Sequence, residues 1–258
     1  MDSIGRLVDV LAYTTHCVGA GRGKQGCDKG KCSENTMFGH WSVSLWLVGS
    51  IVMSDNESIA QRMNAEKVRI IACGAIAREI IAIKDINKLD HIDLKCLPAI
   101  WHVYPAKIAP AMRSAIAEAR EEGFTKIYIG YAECGTQGEL DKICAEEGIE
   151  RIAGPHCYAF FTGTEKFISE AETEFTAFYL TDLLARQFET FVIEPLKLEQ
   201  HPELKQMVFG NYTKIIYLAQ TVDEALQAKA KWAADYLGLE YEYRFTGYGD
   251  LTPALKAL

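Results

Sequence analysis

The sequence predicts an α/β protein with a mostly parallel sheet and helices on both faces. From residue 63 onward, short runs rich in β-branched residues alternate with segments whose apolar residues recur at helical spacing. Glycines stand just past several of the helical segments, where glycine commonly ends a helix. The composition, with 49% hydrophobic and 24% charged residues, is that of an ordinary globular chain. Together these features indicate βα units stacked into a sheet.

The strands are expected where apolar runs are bounded by turn residues, and five or six of them are predicted. The runs are 68–72, 93–97, 126–131, 150–153, 214–219 and 240–245. The helical segments are 76–83, 106–122, 138–147, 155–161, 164–173, 181–190, 202–208 and 222–237. Thr221 is expected to cap the last helix, and the pair Thr181 and Asp182 is interpreted as a helix N-cap rather than a catalytic pair.

The first 62 residues differ from the rest of the chain. They hold six basic and six acidic residues, so their net charge is zero, whereas the whole chain carries −8. They also contain a glycine- and lysine-rich stretch at 19–30 and an apolar run at 41–53. We therefore expect residues 1–62 to be a poorly ordered N-terminal extension or the product of an upstream start. Residues 63–258 are expected to form a single α/β domain.

Charge and hydropathy exclude two classes of partner. A net charge of −8 without any basic run argues against nucleic-acid binding, which requires a concentrated Lys/Arg surface. The apolar stretches end before the roughly 18 to 20 residues that a membrane span requires. Eight cysteines in 258 residues are too sparse for a disulfide scaffold, and reduced thiols in the cytoplasm fit better. We expect a small-molecule partner, and a homo-oligomer is compatible with the sequence.

Three cysteines occupy matching positions, each at a turn from a strand into a helix. They are Cys73, Cys134 and Cys157. Because ligands bind beyond the carboxyl ends of parallel strands, these thiols are expected to meet at one edge of the sheet. Thiolates favour Zn²⁺, Cu(I) or iron–sulfur clusters, so the pattern predicts a metal site with His156 or His102 as a fourth ligand. The alternative is that the cysteines are small core residues.

Other residues near these cysteines are weaker candidates. Gly135 and Thr136 begin a glycine-containing turn that could bind an anion through backbone N–H groups. Glu133 is either a general base or a solvated turn residue. Tyr158 either belongs to the core or forms the wall of a ligand pocket. Cys96 and Cys144 fall within a strand and a helix and are interpreted as core residues. Cys17, Cys27 and Cys32 match no paired CxxC spacing.

Six stretches of the chain carry a family resemblance: IACGAIAREI at 71–80, LPAIWHVYP at 97–105, GYAECGTQGELD at 130–141, RIAGPHCYAFFTG at 151–163, FYLTDLLARQF at 178–188 and HPELKQMVFGNYTKIIYLAQT at 201–221. In these stretches the chain resembles the family known as domain of unknown function 1638. The sequence departs from the family's pattern after His102, where Val103 and Tyr104 replace a more polar pair. The resemblance implies an α/β domain and, because members are often neighbours of corrinoid-dependent methyltransferase systems, a role in one-carbon metabolism. Thiolate-bound zinc would suit methyl transfer.

The sequence therefore predicts a cytoplasmic protein that binds zinc or an iron–sulfur cluster, accessory to a corrinoid methyltransferase system. Cys73, Cys134 and Cys157 are the predicted ligands, and His156 is a ligand or proton carrier. Two alternatives stay open. One is a metal-free enzyme with a cysteine nucleophile activated by His156. The other is a non-catalytic binding protein whose cysteines are structural.

Overall fold

A first parallel sheet carries the predicted thiol site. In the computed structural model, which describes residues 63–64 and 66–258, its strands are β1 (Val68–Cys73), β2 (Ile92–Leu97), β3 (Lys126–Gly130) and β4 (Glu150–Arg151). Their order is β2-β1-β3-β4, and all pairs are parallel. β1 is buried at all six positions, because it lies in the middle of the sheet with helices on both faces. The predictions for residues 1–62 lie outside the described residues.

A second parallel sheet follows in the chain, where the sequence suggested one continuous sheet. It contains β5 (Ala177–Leu180), β6 (Lys214–Ala219) and β7 (Glu240–Phe245) in the order β5-β6-β7. The α/β prediction is confirmed, but the described residues form seven strands in two sheets rather than five or six in one. β5 was missed because a four-residue apolar run cannot be distinguished from a buried helical segment by its periodicity.

Helices occupy most of the connections between strands. The α-helices of the described part are α1 Ala77–Asn87, α2 Ile108–Glu121, α3 Glu139–Glu147, α4 Ala159–Thr162, α5 Thr164–Glu170, α6 Asp182–Arg186, α7 Glu194–Leu196, α8 Glu203–Phe209, α9 Glu224–Leu237 and α10 Leu251–Lys256. Short 3₁₀ helices lie at Gly74–Ile76, Ala99–Val103 and Pro105–Lys107, and a π-helical turn at Glu189–Ile193. Within the described ranges, no helix has the length and apolar character to cross a bilayer.

One continuous core joins the two sheets. Its buried side chains include Ile71 and Ile129 from the first sheet and Phe178 and Ile215 from the second. Burying apolar side chains of this size contributes about 1.5–3 kcal/mol each, so the shared core couples the two sheets energetically. The boundary predicted at residue 63 stays a prediction.

The helix caps differ from the prediction at one position. α9 is capped by Asp223, whose carboxylate accepts hydrogen bonds from the amides of Ala225 and Leu226. The prediction that Thr221 caps this helix is wrong, because Thr221 donates its amide and hydroxyl to Asp182 instead. The N-cap role of Thr181 is confirmed, since its side chain accepts from the Leu184 amide.

The C-terminal loop that follows β7 packs tightly on α4. The Asp250 amide donates to the Phe160 carbonyl at 2.7 Å, and the Asp250 carboxylate accepts from the Thr164 amide at 2.7 Å. Gly249 has a φ of 46°, and a Cβ at this position would overlap the carbonyl oxygens of Phe160 and Phe161. Glycine is therefore required both by the backbone conformation and by the close approach.

We predict that Gly249→Ala destabilises the protein more than Gly247→Ala. Both glycines have positive φ, but a Cβ at Gly247 would meet nothing within 4 Å. The strain of a left-handed alanine is common to both variants, whereas overlap with the α4 carbonyls arises only at Gly249. We expect Gly249→Ala to lower the free energy of unfolding by about 2 kcal/mol more than the control, measured by urea denaturation. Equal losses would contradict this packing.

Candidate functional site: a thiol cluster and a buried carboxyl group

The loops after β3 and β4 are held together by their backbones. The Glu133 amide donates to the Gly154 carbonyl at 2.9 Å, and the Cys134 amide donates to the Pro155 carbonyl at 3.0 Å. These bonds continue the β3–β4 pairing beyond the ends of the strands. They place Cys134 beside the turn that carries Cys157.

Cys134 and Cys157 are in direct contact. Their sulfur atoms lie 3.6 Å apart, and the two residues are 4% and 5% exposed. This separation is well beyond the roughly 2.0 Å of a disulfide bond, so the two residues are not joined to each other covalently. Two thiolates on one tetrahedral zinc ion, with bonds of about 2.3 Å, lie about 3.8 Å apart. The pair therefore has the spacing of one edge of such a site.

Cys73 reaches the same cluster through Tyr131. Ala72 pairs with Gly130 across β1 and β3, so the next residues, Cys73 and Tyr131, leave the sheet side by side. The Cys73 sulfur accepts a hydrogen bond from the Ala75 amide at 3.4 Å. Burial raises the pKa of the Tyr131 hydroxyl well above its usual range, and the neighbouring Cys73, Cys134 and Cys157 side chains raise it further. The Tyr131 hydroxyl thus lies among the three thiols.

The structure brings two of the predicted ligands together more closely than the third. Within the part of the chain that the structure describes, no group of three or more His, Cys, Asp or Glu side chains is already placed to hold a metal ion. Cys134 and Cys157 touch, whereas the pairing of β1 with β3 places Cys73 beside Tyr131. Sequence reasoning missed Tyr131, because an aromatic residue at the end of a buried strand reads as core.

His156 and Tyr158 belong to an aromatic stack that links the two sheets. The His156 and Tyr158 rings are nearly parallel, with centroids 5.1 Å apart and planes at 9°. Tyr158 also stacks on Tyr179 of β5 at 5.5 Å and meets Phe167 edge-on. Tyr158 is therefore an aromatic bridge between the Cys157 turn and the second sheet. His102 belongs by its backbone to the 3₁₀ helix Ala99–Val103, but its side chain is outside the described part, and its role as a ligand stays a prediction.

The loop that follows Cys134 has an unusual backbone. Cys134, Gly135, Gln137 and Gly138 all have positive φ, at 49°, 79°, 57° and 86°. A left-handed conformation costs a residue with a Cβ about 1–2 kcal/mol, so Cys134 and Gln137 hold strain that other contacts must offset. Strained backbone that the surroundings maintain is frequent at functional sites.

Glu133 supplies those contacts. Its carboxylate accepts hydrogen bonds from the Gly135 amide at 2.7 Å, the Gly138 amide at 3.2 Å and the Thr136 hydroxyl at 3.1 Å. Burial opposes ionisation of this carboxyl, but the hydrogen bonds outweigh it and lower the pKa of Glu133. The predicted anion-binding turn is therefore filled by the protein's own carboxylate. A low-pKa carboxylate with this many donors is a poor general base, so the structure assigns Glu133 to loop support.

We predict that Glu133→Gln loosens this loop. The variant should lower the free energy of unfolding by about 1–2 kcal/mol at neutral pH, because an amide accepts more weakly than a carboxylate from the loop donors. Because the pKa of Glu133 is lower in the folded state, its ionisation stabilises the folded protein at every pH above the unfolded-state pKa. This stabilisation is lost as the pH falls through the folded-state pKa. The difference between variant and wild type should therefore shrink in acid. Glu139→Gln, at an exposed residue of α3, is the control and should cost only a few tenths of a kcal/mol.

A cleft of about 660 Å³ lies beside the strained loop. One wall is the start of α2 with the residues before it, including Pro105, Ala109 and Arg113, and the other is the loop at Gly135 and Thr136. Its volume is in the range of small-molecule pockets, which is about 300–1,000 Å³. The predicted Gly135 and Thr136 thus contribute to a ligand-sized cleft next to Cys134.

The family comparison covers most of this site. Residues 96–255, more than half of the chain, match the family described as "Protein of unknown function (DUF1638)". The chain belongs to this family. The match includes Glu133, Cys134, His156 and Cys157, whereas Cys73 lies upstream of the matched residues. No curated protein and no solved structure matches the chain.

A second polar cluster lies at the carboxyl edge of the second sheet and was not predicted. Asp182, 2% exposed, accepts hydrogen bonds from the Tyr217 hydroxyl at 2.8 Å, the Gln220 amide at 2.9 Å, and the amide and hydroxyl of Thr221 at 3.0 and 2.5 Å. Its own amide donates to the Gln220 side chain at 2.7 Å. The carboxylate thereby ties together the ends of β5 and β6.

Glu79 of α1 is buried close to this carboxylate. It is 5% exposed, and its Oε2 has no hydrogen-bond partner among the described residues. Burial raises the pKa of Glu79 to about 7, and the negative charge of Asp182 contributes to the rise, while Arg186 and Arg78 oppose it. Glu79 lies within the stretch IACGAIAREI, but its position on a helix gave no reason to expect a buried carboxyl group.

We predict that Glu79→Gln stabilises the protein above neutral pH. Because the folded-state pKa is raised from 4.5 to about 7, the unfolded chain loses this proton first as the pH rises. The free energy of unfolding of the wild type should therefore fall between these values, by about 3 kcal/mol in total, and then level off. The variant has no ionisable group at this position and so avoids this loss. Measured by urea denaturation, its free energy of unfolding should exceed that of the wild type clearly at about pH 8 and only slightly at about pH 5. A gain independent of pH would contradict the burial of an ionisable group.

Proposed function

We propose that this protein binds a soft metal ion at its thiol cluster, with Cys134 and Cys157 as the first two ligands and Cys73 as the third. The observation that carries the proposal is the 3.6 Å contact between the Cys134 and Cys157 sulfurs, which is close to the separation of two thiolates on one ion. Zn²⁺ fits this spacing, and an iron–sulfur centre in which both thiolates share one iron is the alternative.

The surroundings of the cluster support a bound metal ion. All three cysteines are buried, so a metal–thiolate bond would form in a site shielded from water. The Ala75 amide already donates to the Cys73 sulfur, an interaction that favours the thiolate form. Cys73 would join these two ligands through a side-chain movement, because the three sulfurs of the described residues are not already grouped to hold a metal ion. His156 is the candidate for a fourth ligand, or for carrying a proton beside an open position.

The proposed chemistry is group transfer in one-carbon metabolism, accessory to a corrinoid methyltransferase system. Thiolate-bound Zn²⁺ supplies a Lewis acid that keeps a bound thiol nucleophilic at neutral pH. The cleft between α2 and the Gly135 loop would admit a small molecule to the Cys134 side of the cluster. The corrinoid association rests on the family resemblance alone.

Metal analysis of anaerobically purified protein tests the proposal. We expect about one zinc ion per chain in the wild type, or iron with sulfide for a cluster, and its loss in Cys134→Ser and Cys157→Ser, because a hydroxyl is a poor ligand for soft metals. Cys73→Ser should weaken binding as well. Cys144→Ser is the matched control, since Cys144 lies in α3 away from the cluster motifs, and should retain the metal. Circular dichroism checks that each variant is folded.

A metal-free protein whose thiols react would favour the second candidate, a cysteine nucleophile. The contact between Cys134 and Cys157 also favours this reading, because each thiol can lower the cost of ionising the other by hydrogen bonding. In that case one thiol should be alkylated far faster than the others. Metal-free protein with three unreactive thiols would overturn both functions and leave the cysteines a structural role.

A further inference from the structure

A small pocket lies between α6 and α9, the two helices that pack against each other beside the second sheet. Its lining residues are Ala185, Arg186, Phe188, Glu189, Lys229 and Trp232. The volume of the pocket is about 160 Å³. An apolar cavity of about 150 Å³ admits one benzene ring. The pocket between α6 and α9 therefore has room for a molecule built on a single six-membered ring.

Two aromatic side chains form the apolar part of the pocket. Phe188 is 2% exposed, and its ring meets that of Trp232 edge-on, with centroids 5.9 Å apart and planes at 89°. The Trp232 ring also contacts the ring of Tyr236, at a centroid distance of 5.6 Å. These contacts hold the indole in place, yet Trp232 is 42% exposed. An indole that is fixed by its neighbours and partly open is a surface on which a planar ring can pack.

The charged residues of the pocket favour an anion. Arg186 and Lys229 are positive and Glu189 is negative, so the lining has a net positive charge in a chain whose net charge is −8. Nη1 of Arg186 is buried without a hydrogen-bond partner in the described part of the chain. None of the three residues takes part in an ion pair with another described residue. A guanidinium with an unused donor fits a carboxylate, because its planar fork matches the two carboxylate oxygens.

The backbone beside the pocket has an uncommon conformation. Glu189–Ile193 forms a π-helical turn that begins directly after Phe188. The π-helix is rare in proteins, and single π-helical turns are frequent at functional sites. An uncommon backbone and an unsatisfied guanidinium therefore border the same pocket.

We propose that this pocket binds a monocyclic aromatic carboxylate, a molecule of the size and charge of benzoate. Its ring packs on Trp232 next to Phe188, and its carboxylate accepts hydrogen bonds from Arg186. Lys229, exposed on α9, adds a second positive charge, whereas Glu189 repels ligands that carry further negative charge. The pocket contains no residue of the thiol cluster, so this binding activity goes beyond the proposed function.

Calorimetric titration of the full-length protein with benzoate tests the pocket. Benzamide, which has the same ring without the charge, and acetate, which has the charge without the ring, are the reference probes. We expect saturable binding of benzoate, with an affinity at least about tenfold higher than that of either reference. The physical reason is that only benzoate offers both the ring to Trp232 and the carboxylate to Arg186.

Variants of the lining residues locate the bound molecule. Arg186→Gln and Trp232→Ala should each lower the benzoate affinity by about tenfold or more, because one removes the guanidinium and the other the packing surface. Lys229→Gln should lower it by only about twofold to threefold, since an exposed charge is largely screened. Lys231→Gln, at an exposed lysine of the same helix outside the pocket, is the matched control and should bind as the wild type does.

Circular dichroism checks that each variant is folded. Should Arg186→Gln not fold, Arg186→Lys takes its place and should also bind benzoate more weakly, because an ammonium group cannot form the paired hydrogen bonds of a guanidinium. Failure of benzoate to bind, or binding no tighter than that of acetate and benzamide, would overturn the inference. Wild-type affinity in either Arg186→Gln or Trp232→Ala would do so as well, because the molecule would then lie elsewhere.

The thiol variants separate this pocket from the proposed metal site. Cys134→Ser should keep the benzoate affinity of the wild type, and Trp232→Ala should keep the metal content of the wild type. Loss of benzoate binding in Cys134→Ser would contradict a pocket that is independent of the thiol cluster.

Discussion

Two backbone hydrogen bonds hold the thiol cluster together, from the amides of Glu133 and Cys134 to the carbonyls of Gly154 and Pro155. They extend the parallel pairing of β3 and β4 past the strands, where chains normally diverge into separate helices. The contact between Cys134 and Cys157 depends on them, because the two residues are 23 positions apart and share no helix or strand. Parallel pairing of β1 with β3 adds Cys73 and Tyr131 at the same edge.

The Cys134 loop shows how a strained conformation is maintained by local electrostatics. Four residues between 134 and 138 have left-handed backbone, and the Glu133 carboxylate binds the amides and hydroxyl that this conformation turns inward. An internal carboxylate in a cradle of N–H groups stabilises the loop without a bound anion. The sulfur of Cys134 is thereby held at one position, which is the preorganisation that a metal ligand or a nucleophile requires.

The two sheets of this DUF1638 member present different chemistry at their carboxyl edges. The first gathers polarisable sulfur atoms near a tyrosine hydroxyl, and the second gathers carboxylates, an arginine and backbone amides. The shared core and the His156, Tyr158 and Tyr179 stack connect the two edges. Four donors bind the Asp182 carboxylate, whereas Oε2 of Glu79 has no hydrogen-bond partner among the described residues, and burial raises the pKa of Glu79 to about 7.

The sequence alone determined the α/β class, six of the seven strands in the described residues, and the placement of three cysteines after strands, because periodicity and turn residues are local properties. It did not reveal β5, whose four apolar residues carry no period. It could not show whether the amides of the Gly135 turn are open to an external anion or already bound by the Glu133 carboxylate. The answer depends on the direction of the Glu133 side chain, which the sequence does not give. Only the tertiary structure decided that Cys134 touches Cys157, that Tyr131 is buried near the thiols, and that Glu79 is a buried carboxyl group near Asp182. Contacts between residues far apart in the chain arise from packing and strand order, which no local pattern encodes.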